Sequence, residues 1–334
     1  MIRYESVNAK IASVGAYVPV RRVHNDELAE TLDTSDDWIY SHTGIHYRHI
    51  AADDEAASDL AVPAARRALE RAGLRPSDID LVLVATSTPD YVGLPSTACI
   101  VQDKLGISDA GAMDITAACT GFVYGLETAR TYVAAGSARN VLLIGTELYS
   151  RIVDWNDRRT CVLFGDGAGA VVVSAAEDDE VSRVLPALLG SRGSGAEALY
   201  RSHGGSKNRY VPGATPEDLL KLKMDGRRVY NFAVAVVVDV IQELLSRNDM
   251  SFDEIAHVVP HQANVRIISA AAKRAGWDAK RFYTNIAEYA NTSAASIPLV
   301  LNELYEKELI ERGDLLLTIG FGGGLTYGGN LLYW

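Results

Sequence analysis

Short, unbroken apolar runs alternate along this chain with longer segments in which apolar residues recur every three or four positions. The runs, such as Leu81-Val82-Leu83-Val84, Val141-Leu142-Leu143-Ile144 and Leu315-Leu316-Leu317, have the length of strands buried on both faces. The longer segments, around Val62–Ala72, Phe122–Val133 and Phe232–Arg247, have the spacing of helices that bury one side. Pro63 suits the first turn of its helix. Helices alternating with such strands predict an α/β protein whose sheets are covered on both faces.

The pattern occurs twice in the same order. Ser77–Val84 is matched by Asp253–Pro260, Asp114–Cys119 by Ile286–Asn291, and Arg139–Gly145 by Gly313–Ile319. The glycine-rich turn and strand of Gly165–Ser174 is matched by Gly320–Trp334. Four weak matches at a nearly constant offset point to a duplicated unit. The expected halves are residues 1–176 and 177–334, meeting near the acidic segment Ala175–Glu180. Pseudo-twofold symmetry would bring equivalent turns together, so Cys119 and Asn291 are expected to face one central site.

Composition is that of a globular protein, with 48% apolar and 22% charged residues among 334. No run of about 18 apolar residues stands out, which predicts no transmembrane helix and no membrane partner. Arg3, Glu5 and Lys10 interrupt the start of the chain, so no signal peptide is expected. Cys99, Cys119 and Cys161 are odd in number and scattered, which predicts a reducing, cytoplasmic setting instead of a disulfide framework. The net charge of −11 opposes nonspecific nucleic-acid binding and leaves an acidic partner only a local basic patch on which to dock.

Cys119 falls where the small, weakly apolar run Gly111–Ala118 gives way to a helix. Unpaired N–H groups and the positive end of the helix dipole favour a thiolate there, the form that acts as a covalent nucleophile. A small buried cysteine that only packs fits the same pattern. Gly165-Asp166-Gly167-Ala168-Gly169-Ala170 matches a dinucleotide-binding fingerprint, after a strand-like Cys161–Phe164. The next segment, Val171–Ser174, is strand-like where that mechanism needs a helix, so a tight hairpin-type turn is expected instead. His42, His46 and His49 have metal-like spacing, but no cysteine or carboxylate cluster completes a set. A loop facing water or ligand is expected there, and no metal.

Four signatures converge with the Cys119 turn: Val259–Asn264, Tyr289–Pro298, Gly320–Gly328, and Thr34–Ile39 followed by Thr43-Gly44-Ile45. Together they closely resemble the β-ketoacyl-acyl-carrier-protein synthase III family, nearly end to end. The resemblance implies the thiolase fold, two βαβαβαββ halves stacked in five αβαβα layers, and a homodimer. It implies decarboxylative condensation of an acyl-coenzyme A starter with malonyl-acyl-carrier protein, giving the 3-oxoacyl-carrier protein that initiates fatty-acid synthesis. No cofactor is implied, since acyl-coenzyme A is a substrate.

The resemblance makes Cys119 the acylated nucleophile. Its N–H and that of Gly323 would form the oxyanion hole, with bare glycines allowing close backbone approach. His261 and Asn291, which in isolation read as a structural histidine and a helix cap, would donate to the thioester oxygen on which the enolate forms. Phe321 would keep the departing carboxylate desolvated. Trp38 and Arg158 match positions that sandwich the adenine of coenzyme A, Asn264 lies in a matching coenzyme A segment, and His42 stands where the family commonly has Arg. Arg266, Lys273 and Arg274, on the helix after His261, would dock the acidic carrier, with Lys280, Arg281, Arg227 and Arg228 extending the patch; a solvated helix face is the alternative. Leu94 matches a loop that reaches into the partner subunit's acyl pocket and suggests a short or modestly branched starter. A related Cys-His-Asn condensing enzyme or acyltransferase of polyketide or secondary metabolism, and a noncatalytic acyl-coenzyme A scaffold, are the competing readings.

Overall fold

The apolar runs of the first half pair into one mixed sheet in a computed structural model that describes residues 7–203, 205–208 and 221–334. In chain order the strands are β1 (Ala9–Tyr17), β2 (Arg21–His24), β3 (Tyr47–Ile50), β4 (Leu81–Ala85), β5 (Gly111–Ile115), β6 (Asn140–Leu148) and β7 (Asp166–Ala175). The sheet runs β1-β7-β6-β4-β5, while β2 and β3 form a separate antiparallel pair. β4 lies parallel to β5 and β6, and β7 is antiparallel to β6 and β1.

The second half repeats the scheme with β8 (Arg183–Val184), β9 (Leu188–Ser191), β10 (Leu199–Arg201), β11 (Leu222–Met224), β12 (His257–Pro260), β13 (Leu315–Gly322) and β14 (Thr326–Tyr333). Its sheet runs β12-β13-β14-β8, with β9 also on β14. β12 is parallel to β13, and β14 is antiparallel to it, as β4, β6 and β7 are in the first half. A lone parallel bridge from Val258 to Phe282 stands where β5 flanks β4. Three of the four sequence matches fall on equivalent elements; the fourth sets the end of β5 against the helical stretch Ile286–Tyr289.

The helices are α1 (Asn25–Ala29), α2 (Asp36–Thr43), α3 (Ala57–Ala72), α4 (Thr97–Leu105), α5 (Gly121–Ala134), α6 (Gly226–Arg247), α7 (Val265–Ala275), α8 (Ile286–Tyr289) and α9 (Ser296–Glu306). Three buried clusters set the five layers. One joins α3 and α4 to the outer face of the first sheet through Leu60, Ala64, Val82 and Val172. The middle one packs α5 and α9 between the sheets through Phe122, Leu126, Ile297 and Leu301. The third joins α6 and α7 to the far face of the second sheet through Val236, Ile241, Ile267 and Leu317. This is the expected thiolase-type layering.

Several local expectations are corrected. α3 begins at Ala57, so Pro63 lies inside the helix and not in its first turn. Gly167 and Gly169 lie within β7 and not in a hairpin turn; a Cβ on Gly169 would meet Pro298 Cβ at 2.7 Å. Cys161–Leu163 is turn and not strand, with Phe164 bridging to Asn291. Among the described residues one helix, α6, is long and apolar enough by composition to cross a bilayer, with a mean hydropathy of 1.5, although charged residues interrupt it. Its apolar side packs on β13, β14 and α7 as a core helix does.

Candidate active site

Cys119 sits in a single 3-10 turn, Ala118–Thr120, between β5 and α5. Ala118 holds a left-handed φ of 47°, which costs a non-glycine residue about 1–2 kcal/mol. The turn presses the cysteine inward, so Cys119 is only 3% exposed and its thiol is pushed up to about 12 by burial. The expected thiolate is therefore not the resting form. Removing sulfur from water outweighs whatever the start of α5 contributes.

The mirrored loop is built the same way. Ala290 has φ 55° and Ser293 has φ 49°, on either side of Asn291. Asn291 Oδ1 accepts the Ser293 N–H at 2.9 Å, so the cap-like role and the site-facing position coexist. Small residues let the two loops meet. A Cβ on Gly145 in β6 would come within 2.3 Å of Ala294 O, and one on Gly121 within 2.9 Å of Ala85 Cβ. Cys119, His261, Asn291, Phe321 and Gly322 line one cavity, together with Leu163, Phe164, Leu199, Met224, Tyr230 and Asn264.

His261 follows the end of β12 and is buried, which holds its imidazole neutral, with a pKa pushed down to about 3. Its Nδ1 lies 2.7 Å from Ser296 Oγ, and its ring meets Phe321 edge-on with centroids 5.3 Å apart. Gly322 lies against the nucleophile: a Cβ there would meet Cys119 Cβ at 2.7 Å and its N at 3.0 Å. The Gly323 Cα instead faces Leu199 O and Ala118 Cβ. A second cavity, on the side of Ala117 and Ala118, is lined by Ser87, Tyr149, Leu199, Leu222 and Gly323 among others.

Sequence reasoning missed a buried acid beside the cysteine. Glu147, at the inner end of β6, is fully buried and its carboxyl is pushed up to about 7 by burial. It accepts from Thr88 Oγ1 at 2.7 Å, Ser87 N–H at 3.0 Å and Ser293 Oγ at 2.9 Å. Tyr149 and Ser296 were also missed. A lone glutamate ending the apolar run Val141–Ile144 was the one available signal.

Models of the 3-oxoacyl-acyl-carrier-protein synthase III family match residues 113–193 and, for its C-terminal part, residues 245–334. The β-ketoacyl-acyl-carrier-protein synthase III of Caldanaerobacter subterraneus subsp. tengcongensis is 45% identical, over 99% of both chains. That of Clostridium acetobutylicum is 43% identical, over 98% of this chain and 99% of its own. This chain belongs to the β-ketoacyl-acyl-carrier-protein synthase III family. Among solved structures, the Aquifex aeolicus synthase III superposes with a TM-score of 0.90 at 42% identity, covering 98% of this chain and 100% of its own. The priming β-ketosynthase of the R1128 polyketide pathway gives 0.92 at 37%, covering 100% and 98%.

In this synthase III chain the residues expected at the mouth are spread over α2, α7 and the turn before β7. Arg158 Cζ lies 5.1 Å from the Trp38 ring centroid, and His42 stacks on the other part of α2 at 4.4 Å from the same ring. A flat ring between Trp38 and Arg158 needs two stacking gaps, about 7 Å, so Arg158 must swing outward to admit one. Asn264 caps α7, accepting the Arg266 N–H at 2.8 Å, and donates to His42 O at 3.0 Å. Arg266, Lys273 and Arg274 are exposed on α7, with Arg266 Nε donating to Ser41 O. Arg281 is half-buried and donates to Ile255 O, which takes it out of any open patch. Lys280, Arg227 and Arg228 are exposed.

Leu94 is 85% exposed and lines neither cavity of its own chain. The three histidines of metal-like spacing do not converge. His42 is at Trp38, His49 Nδ1 is 2.6 Å from Pro19 O, and His46 pairs with Asp36 at 2.8 Å. His24, Asp36 and His46 instead group with their ligand atoms within 4.8 Å of one another, His46 being hydrogen-bonded to Asp36.

Proposed function

We propose that this chain primes acyl-chain synthesis by condensing an acyl-coenzyme A starter with malonyl-acyl-carrier protein, releasing coenzyme A and CO2. The observation that carries this reading is the meeting of Cys119 from the first half with His261 and Asn291 from the second in one cavity. Cys119 Sγ attacks the thioester carbonyl, and the Cys119 and Gly323 N–H groups hold the oxyanion. His261, neutral because it is buried, and Asn291 then donate to the malonyl thioester oxygen as CO2 leaves and the enolate forms. Phe321, edge-on to His261, keeps that step dry. The enolate carbon attacks the acyl-Cys119 carbonyl, and Cys119 leaves.

The second cavity, beyond Ala117 and Ala118, is suited to the acyl chain. Exposed Leu94 is suited to close the equivalent cavity of a partner copy in a homodimer. Trp38 and Arg158 receive the adenine, and Arg266 with Lys273 and Arg274 receives the acidic carrier. Service in a polyketide pathway is a second reading, favoured by the likeness to the R1128 priming β-ketosynthase.

The test is intact-mass spectrometry of the full chain with a panel of acyl-coenzyme A thioesters. One acyl adduct, lost in Cys119→Ala, followed by CO2 release on adding malonyl-acyl-carrier protein, is the expected result. No adduct with any thioester overturns the reading in favour of a scaffold.

A further inference from the structure

Condensation by Cys119, His261 and Asn291 leaves a buried acid without a task. The Ser293 hydroxyl donates to Glu147 Oε1 at 2.9 Å, and its turn packs directly on the Cys119 turn, where the hydroxyl favours the thiolate against the burial that opposes it. Thr88 Oγ1 and the Ser87 N–H hold Glu147 Oε2, so Oε1 is the oxygen left for Ser293. Ser293 is placed by a left-handed backbone that Asn291 clamps, and such strain at a non-glycine residue persists only where the surroundings enforce it. The titratable groups facing Glu147 are Cys119 and Tyr149, whose phenol is 3.3 Å from Ser293 Oγ. Among the described residues no lysine, arginine or histidine pairs with Glu147.

We propose that Glu147 is the proton acceptor for Cys119, reached through Ser293. The proposal rests on Cys119 being the acylated nucleophile. As Sγ bonds to the thioester carbon, the S–H proton passes to Ser293 Oγ and the Ser293 hydroxyl proton passes to Glu147 Oε1. The carbon–sulfur bond to coenzyme A breaks, and the departing thiolate takes its proton from solvent. In condensation Cys119 leaves as a thiolate and recovers the proton held on Glu147 by the reverse path. The physical reason for the path is charge conservation within the core. Sending the thiol proton to water would leave two buried negative charges, on Sγ and on the carboxylate; sending it to Glu147 moves one charge and creates none. Glu147 acts through Ser293 and is a positioning and proton-holding residue, not one that touches substrate.

The experiment follows alkylation of Cys119 by iodoacetamide from pH 6 to 9 in the full chain, with the site read by peptide mass. The parental rate is expected to level off above about pH 7, where Glu147 is ionised and can take the proton. In Glu147→Gln, and in Ser293→Ala, which leaves the carboxylate in its place, the plateau is expected to vanish. The rate then climbs tenfold per pH unit. Acylation by acyl-coenzyme A at pH 7 falls about a hundredfold in both variants, as loss of a proton acceptor does. Variants that keep the parental plateau and the parental acylation rate overturn the relay alone. A parental chain that shows the plateau but takes no acyl group overturns the condensing reading and leaves the relay as thiol activation.

Discussion

Ser296 Oγ lies 2.7 Å from His261 Nδ1 and donates to Ser293 O at 2.8 Å. Ser293 O already accepts the Ser296 N–H, and Ser296 Oγ itself takes the Gln262 N–H at 3.4 Å. Ser296 thus holds the imidazole by its Nδ1 edge and leaves Nε2 as the nitrogen open to substrate. Ser296→Ala is expected to slow CO2 release from malonyl-acyl-carrier protein about tenfold, the worth of one hydrogen bond of about 1.4 kcal/mol. Acylation of Cys119, followed by intact mass, is expected to hold.

His261→Ala and Asn291→Ala separate the two half-reactions. Each is expected to keep Cys119 acylation and to lose decarboxylation by about a hundredfold or more, the effect of removing one oxyanion donor. Release of labelled CO2 at the parental rate in both would rule out their assigned part.

Gly322 leaves no room for a methyl group. In Gly322→Ala the new Cβ would sit 2.7 Å from Cys119 Cβ and 3.2 Å from Sγ. The nucleophile must shift, and misplacement by about 1 Å costs about a hundredfold. Single-turnover acylation is the measurement; a rate within a factor of two of parental would show that the contact is slack.

Stability against pH carries the mark of two buried groups with opposite signs. His261 is held near 3 from an ordinary 6.5, so its contribution is complete above 6.5 and is lost as pH falls from there. Glu147 is raised to about 7 from 4.5, so its contribution is complete below 4.5 and is lost as pH rises through 7. Between 4.5 and 6.5 the two oppose each other. Glu147→Gln removes one of them, so variant-minus-parental stability from urea unfolding is expected to rise by about 1.4 kcal/mol per pH unit across that window. Parallel curves would mean that Glu147 does not titrate there.

The fold was legible in the sequence because its strands are covered on both faces. Continuous runs such as Leu81–Val84 and Leu315–Leu317 then stand out, and their order repeats. That Cys119 and Asn291 share a cavity was legible because duplication says which turns meet, while His261 was picked out by the family resemblance alone. The state of the thiol was not. A helix start argues for ionisation, and only the three-dimensional surroundings show that burial wins. Glu147 was invisible for a related reason: its partners Ser87, Thr88 and Ser293 lie far away in sequence and on different elements. The glycines of β7 misled because a missing side chain serves a close helix contact as readily as a turn.

The middle hydrophobic cluster draws Ile11, Phe122 and Val141 from one half and Val259, Leu304 and Trp334 from the other. Interiors at native packing density do not part without exposing that surface to water. The two repeats therefore have no freedom to swing open like the lobes of a clamp. What reaches Cys119 must fit the cavity that the fixed halves leave between them, which favours a slender, extended group over a bulky one.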